Sequence, residues 1–170
     1  MFVTTIQESD PEDIHQAFVE DGWSKPRALF DRYLREHISG ERVVLVARTR
    51  PDDRIAGYGT VVWESHYPPF AAEGIPEIVD MNVVSTLRRQ RAATLIMDAA
   101  ERLIVERAHR RGVAPIAGIG VGLYADYGPA QRMYVLRGDV FDGRGIMYNG
   151  QPVPPPESRP VDDALNLFLT

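Results

Sequence analysis

At 170 residues, 44% hydrophobic and 25% charged, the chain fits one globular domain over 1–170 with a sizeable core. It has no cysteine, which excludes disulfides, thiolate metal sites and cysteine nucleophiles and fits a reducing cytoplasm. A net charge of −5 points away from nucleic acid, and no apolar run approaches the ~18–20 residues of a membrane span.

In chain order, the opening MFVTTIQESDPEDI lacks the basic and apolar regions of a secretory leader, and Phe2–Ile6 reads as a strand. Ser9-Asp10-Pro11-Glu12 is a helix-start signal, with a capping residue, an early proline and acids at the positive helix end. Helices are expected over Pro11–Val19 and Lys25–His37, the second stopped by Gly40. Val43–Ala47 and Ile55–Trp63 form a hairpin about the turn Pro51-Asp52-Asp53. His66–Pro76 reads as a surface loop and Glu77–Val84 as a strand. Arg88–Arg110 is the longest predicted helix, with Ala92, Leu95, Ile96, Ala99 and Leu103 toward the sheet. A glycine-rich strand follows over Ile116–Tyr124, then a short helix over Gly128–Arg137 closed by Gly138. Ile146–Val153 and Ala164–Leu169 are the last strands, about a proline-rich bend. This order predicts an α/β (α+β) fold, a mixed and largely antiparallel sheet flanked by helices. His15, His37, His66 and His109 are scattered without ligand spacing, so no metal is expected.

The start of the long helix is the most informative segment. Arg88, Arg89 and Arg91 crowd an end that already carries positive partial charge, at a cost of roughly 0.3–1 kcal/mol each. Such a turn suits an anion such as a pyrophosphate, with Ala92 and Ala93 allowing close approach and Thr94 adding a hydroxyl. Arginines bending into solvent or toward nearby acids explain the same pattern. No GxxxxGK[ST] is present.

Val83-Val84-Ser85-Thr86-Leu87-Arg88-Arg89-Gln90-Arg91-Ala92-Ala93-Thr94 resembles the cofactor motif of the GNAT superfamily of N-acetyltransferases, a strand followed by [RQ]-x-x-G-x-[GA] opening a helix. Arg88 and Ala93 match, whereas Arg91 stands in the glycine position. Tyr127-Gly128-Pro129-Ala130-Gln131-Arg132-Met133-Tyr134-Val135-Leu136-Arg137-Gly138 resembles the later motif A-x-x-x-Y-x-x-x-G-[FY], with Ala130, Tyr134 and Gly138 in register and Asp139 replacing the aromatic. The resemblance runs from about residue 2 to 169 and is to an uncharacterised bacterial branch.

The resemblance implies a splayed strand pair, acetyl-CoA as co-substrate and direct transfer of acetyl to a primary amine of a small molecule or peptide. It also implies that the backbone of Met81, Asn82 and Val83 holds the pantetheine arm. The amides of Arg88, Arg89, Gln90, Arg91, Ala92, Ala93 and Thr94 would then hold the pyrophosphate. Tyr134 takes the position of the general acid, against a bland reading as a core aromatic. The base is Glu77, Asp80 or a water, since a bulge in the strand would swap side-chain parity between them. Gly118, Gly120 and Gly122 fit either a ligand's close approach or relief of crowding. The acceptor is expected past the first two helices and the loop after Trp63, where Trp23, Tyr33, Trp63, His66, Tyr67 and Phe70 line a mouth. A homodimer is a further expectation of the resemblance. Arg91 in the glycine position keeps a second reading open, a non-catalytic module of this fold that binds an acyl-CoA or a protein.

Overall fold

The computed structural model describes residues 1–23, 25–50 and 52–170. Pro51 of the expected turn lies outside them, while Asp52 accepts a hydrogen bond from the Thr49 hydroxyl at 2.6 Å within the connection. The chain forms two compact units, Met1–Trp63 with Ile78–Pro115, and Glu64–Glu77 with Ile116–Thr170.

The first unit carries strands β1 (Phe2–Thr5), β2 (Arg42–Arg48), β3 (Ile55–Val62) and most of β4 (Glu77–Val83), adjacent in that order. β1 pairs antiparallel with β2 through Val3↔Ala47, and β2 with β3 through Val44↔Thr60. Helices α1 (Asp10–Glu20) and α2 (Arg27–Ser39) cover one face and α4 (Ala92–Arg111) the other. Alternation along β3 places the two layers: Tyr58 meets Phe18 and Phe30 of α1 and α2, while the next residue, Gly59, faces Ile96 of α4. Burial on both faces explains why Val43–Ala47 is apolar without alternation. The first core holds Ile14, Phe18, Phe30, Val44, Val46 and Tyr58, all at most 1% exposed.

Several boundaries differ from expectation. Ser9 makes no side-chain cap on α1. Instead, buried Asp10 accepts from the Gln7 amide at 2.8 Å and pairs with Arg48. α2 begins at Arg27 because Pro26 keeps the preceding residue extended. The buried stripe of α4 is Ala92, Ile96, Met97, Ala100, Ile104 and Ala108, so Leu95, Ala99 and Leu103 are its half-buried flank.

The second unit carries β5 (Gly118–Gly122), β6 (Met147–Tyr148), β7 (Gln151–Pro152) and β8 (Leu165–Leu169) in the order β5, β8, β6, β7, every pair antiparallel. The expected strand Ile146–Val153 is two short ones joined at Asn149-Gly150, both with positive φ, the usual pair for a tight hairpin turn. The expected loop His66–Pro76 contains a helix, α3 (Pro68–Glu73), opened by a proline and closed by left-handed Gly74. It delivers Phe70 to a second core with Tyr67, Ile75, Met147 and Phe168, where the Tyr67 and Phe168 rings stack at 3.7 Å. Helix α5 (Gly128–Arg137) ends at left-handed Gly138 as expected, and buries Tyr134 alone. No helix among the described residues is long and apolar enough to cross a membrane.

Candidate active site

Between β4 and α4, Ser85–Leu87 make a single 3-10 turn anchored by Asp21, whose carboxylate accepts from the Ser85 amide at 2.8 Å and from its hydroxyl. The next four residues are not helical. Arg89 has φ 61°, and Arg91 has φ 72° and ψ 7° as the residue that caps α4. The three arginines therefore lie in the turn before the helix, correcting the expectation that they occupy its first turn. Two left-handed residues block the α-helical path until Ala92. This geometry also explains why the motif favours glycine at the Arg91 position, since a left-handed residue with a Cβ is strained there.

Left-handed residues in a short turn can expose neighbouring amides to one anion. Among the described residues, no hydrogen bond holds the amides of Arg89, Arg91, Ala92, Ala93 and Thr94, and Arg88 Nε and Gln90 Nε2 donate to the carbonyls of Val83 and Thr86, each at 3.3 Å. Five free donors on a left-handed turn at a helix start form a cradle for an anion. Arg91→Gly should relieve about 0.5–1 kcal/mol of strain and raise the melting temperature by roughly 2 °C. It should also weaken the binding of inorganic pyrophosphate. A lower melting temperature in a thermal scan would contradict the assigned backbone.

On β4, Asp80 has φ 50°, a left-handed residue inside a strand and the mark of a bulge. Its carboxylate is fully engaged. Lys25 Nζ donates to it at 2.6 Å, the hydroxyls of Tyr33 and Tyr58 at 2.9 Å each, and Asn82 Nδ2 at 2.8 Å. Burial alone would raise its carboxyl, but the Lys25 ammonium and the hydrogen bonds from Lys25, Tyr33 and Tyr58 outweigh this and hold it below the usual range. Arg42 extends the cluster, stacking 4.3 Å from the Tyr33 ring and donating to Glu36 at 2.6 Å and Thr60 at 2.7 Å. Lys25 and Tyr58 were not anticipated, and Asn82, expected to act through its backbone, here engages Asp80 with its side chain. Tyr33, expected at the acceptor's mouth, is instead buried and turned onto Asp80.

Glu77 and Tyr134 belong to the second unit. Glu77 is 6% exposed and accepts from Ser65 Oγ at 2.5 Å, with Ser65 in turn accepting from the Tyr67 amide. Burial raises its carboxyl, against the opposing pull of Ser65 and of nearby His66. A carboxyl raised on folding contributes its stability below its unfolded value near 4.5, and loses it as pH rises through the folded value. Melting temperatures above that pH should accordingly fall further for wild type than for Glu77→Gln. Parallel pH profiles for the two proteins would show that Glu77 is not so raised.

Tyr134 is 5% exposed, and its hydroxyl has no hydrogen bond among the described residues. Burial first, then Tyr127 and Asp139, push the phenol well above its ordinary value. The glycines of β5 have a packing reason: a methyl on Gly118 would enter the Phe70 ring, and one on Gly122 the Tyr127 ring. Tyr67 and Phe70 are core residues and Trp63 lies under Arg107 at 4.2 Å, which leaves Trp23, 44% exposed, as the open aromatic of the expected mouth. No group of three His, Asp or Glu among the described residues is arranged to hold a metal ion.

The chain matches no family model and no curated protein. Its likeness to solved structures is extensive. It is similar to a ribosomal-protein-alanine N-acetyltransferase of Brucella melitensis, with a TM-score of 0.67 at 13% identity over 99% of this chain and 98% of that one. An N-acetyltransferase of Staphylococcus aureus gives 0.65 at 14% identity over 99% and 95%. A Salmonella typhimurium acetyl transferase that modifies the N-terminal serine of ribosomal protein L7/L12 gives 0.65 at 13% over 98% and 91%. The chain has the fold of the GNAT acetyltransferases.

Proposed function

We propose that residues 1–170 act as one acetyltransferase domain that moves an acetyl group from acetyl-CoA to a primary amine by direct attack. The single observation that carries this reading is the cradle of five acceptor-free amides, those of Arg89, Arg91, Ala92, Ala93 and Thr94, on a turn where Arg89 and Arg91 adopt left-handed geometry. Free amides beside three arginines suit the charge of a pyrophosphate, and the fold likeness supports the reading. Arg88, Arg89 and Arg91 add charge, and the backbone of Met81, Asn82 and Val83 would receive the pantetheine arm.

Acetyl-CoA, when bound, supplies a thioester carbonyl open to attack by an amine. Glu77 takes a proton from the acceptor's ammonium, and the neutral amine then attacks the thioester carbonyl. Its raised carboxyl makes it a stronger base than an ordinary carboxylate, whereas Asp80, held low and already paired with Lys25, is a poor one. Tyr134 presents its hydroxyl to the departing sulfur. The acceptor is a small molecule or a peptide end, and two of the fold's neighbours named above modify ribosomal proteins.

Titration with acetyl-CoA tests the reading. A ligand at 100 times its Kd stabilises by ~2.7 kcal/mol, a rise of about 5–10 °C in melting temperature for a chain of this size. Release of free CoA across a panel of amines and peptides then finds the acceptor. Absence of a shift with both acetyl-CoA and CoA would sink this reading in favour of a non-catalytic module that engages a protein.

A further inference from the structure

Lys25 is the only lysine in the chain, and the rest of its 19 Lys and Arg residues are arginine. It lies outside the helices, in the connection that ends at Pro26, where its amide donates to the Trp23 carbonyl at 2.9 Å and its own carbonyl meets His15 Nδ1 at 2.7 Å. Its ammonium is enclosed, with the side chain 15% exposed. Nζ lies 2.6 Å from Asp80 Oδ1, 2.7 Å from the Tyr58 hydroxyl, 5.0 Å from the centre of the Trp23 ring and 5.3 Å from that of Tyr58.

Two features separate this from an ordinary ion pair. The carboxylate is oriented by three neutral donors, Tyr33, Tyr58 and Asn82, so its aim does not depend on Lys25. The remaining partners are the Tyr58 phenol oxygen and the Trp23 ring, which suit a compact ammonium and not the flat fork of a guanidinium. Trp23 is 44% exposed, and the Asp80 side chain 24%. Asp80 also directly precedes Met81–Val83, the stretch assigned above to the pantetheine arm.

We propose that Asp80, Tyr58 and Trp23 form a recognition site for a primary alkylammonium ion, and that Lys25 occupies it until the ammonium of the acceptor takes its place. The acceptor's part rests on the acetyl-transfer reading; the ammonium site stands without it. The four-carbon stem of lysine lets the side chain leave without unfolding either helix.

Lys25→Ala frees room for one alkylammonium, and thermal unfolding without any CoA reads the site. n-Butylammonium chloride should raise the melting temperature of the variant along a saturating curve. Tetramethylammonium chloride at equal ionic strength should not, because it donates no hydrogen bond to Asp80 or Tyr58. The response should vanish in Lys25→Ala/Asp80→Asn. Equal effects of the two salts, or a response that survives removal of Asp80, would overturn the proposal. If the alanine variant does not fold, Lys25→Met keeps the stem and ammonium chloride becomes the probe, with sodium chloride as the control and the same two readings. An acetyl-CoA titration of the same variant separates the two levels. A variant that responds to butylammonium but not to acetyl-CoA retains the ammonium site and loses the acetyl-transfer reading; the reverse result rejects the ammonium site alone.

Discussion

Tyr134→Phe is expected to lower acetyl transfer about 100-fold while leaving the melting temperature within about 1 °C of wild type. The two halves have separate origins. The ring is buried and phenylalanine keeps it, and the hydroxyl has no hydrogen bond among the described residues for the fold to lose. The catalytic half follows from the raised phenol. A free thiol titrates near ~8.5, so full proton transfer from Tyr134 to the departing thiolate would run uphill. The hydroxyl therefore works as a hydrogen-bond donor to developing charge on sulfur, and loss of one such donor typically costs ~10²–10³ in turnover. The lower end is expected because a diffuse thiolate accepts hydrogen bonds weakly. Turnover of the variant within threefold of wild type would remove Tyr134 from the chemistry. A large loss of stability would mean that its hydroxyl is engaged in packing.

The sequence made some of this visible and hid the rest, and the division has physical causes. Strand β4 and α4 follow from hydrophobic periodicity and α5 from its glycine stop at Gly138, while Tyr134 was marked by the resemblance to the later motif. The left-handed Arg89 and Arg91 were hidden, because only glycine advertises positive φ and neither position has it. Comparison with a motif that wants glycine was the one clue. Helix α3 was masked by Pro68 and Pro69, which read as loop residues although proline is at home in a helix's first turn. The Asn149-Gly150 hairpin, by contrast, carried a readable signal in its dipeptide that the longer strand expectation absorbed. The Asp80 cluster had no local signature. Its partners Tyr58, Tyr33 and Lys25 stand 22, 47 and 55 residues away, and only the packing of α1 and α2 on the sheet assembles them.

That cluster yields the largest expected change in stability. Asp80→Asn should lower the melting temperature by roughly 4–8 °C, since removing one member of this partly buried pair costs about 2 kcal/mol, less than for a fully buried one. The loss comes chiefly from the Lys25 ammonium, left between the Trp23 ring and the Tyr58 phenol without a counter-charge. Lys25→Met in the same chain should therefore recover much of the loss, because it removes that stranded charge while keeping the apolar stem; the double-mutant cycle measures the coupling. The acid response follows from the same geometry. A carboxyl held below its ordinary 3.8 contributes stability above that value and loses it as pH falls through the folded value. Wild type should thus lose its advantage over Asp80→Asn only in strong acid. An asparagine variant that melts within 1 °C of wild type at neutral pH would mean that the pair is solvated in solution. In that event the polar contacts around Asp80 would add little to the stability of the first unit, leaving its core to the apolar packing of α1, α2 and α4 on the strands.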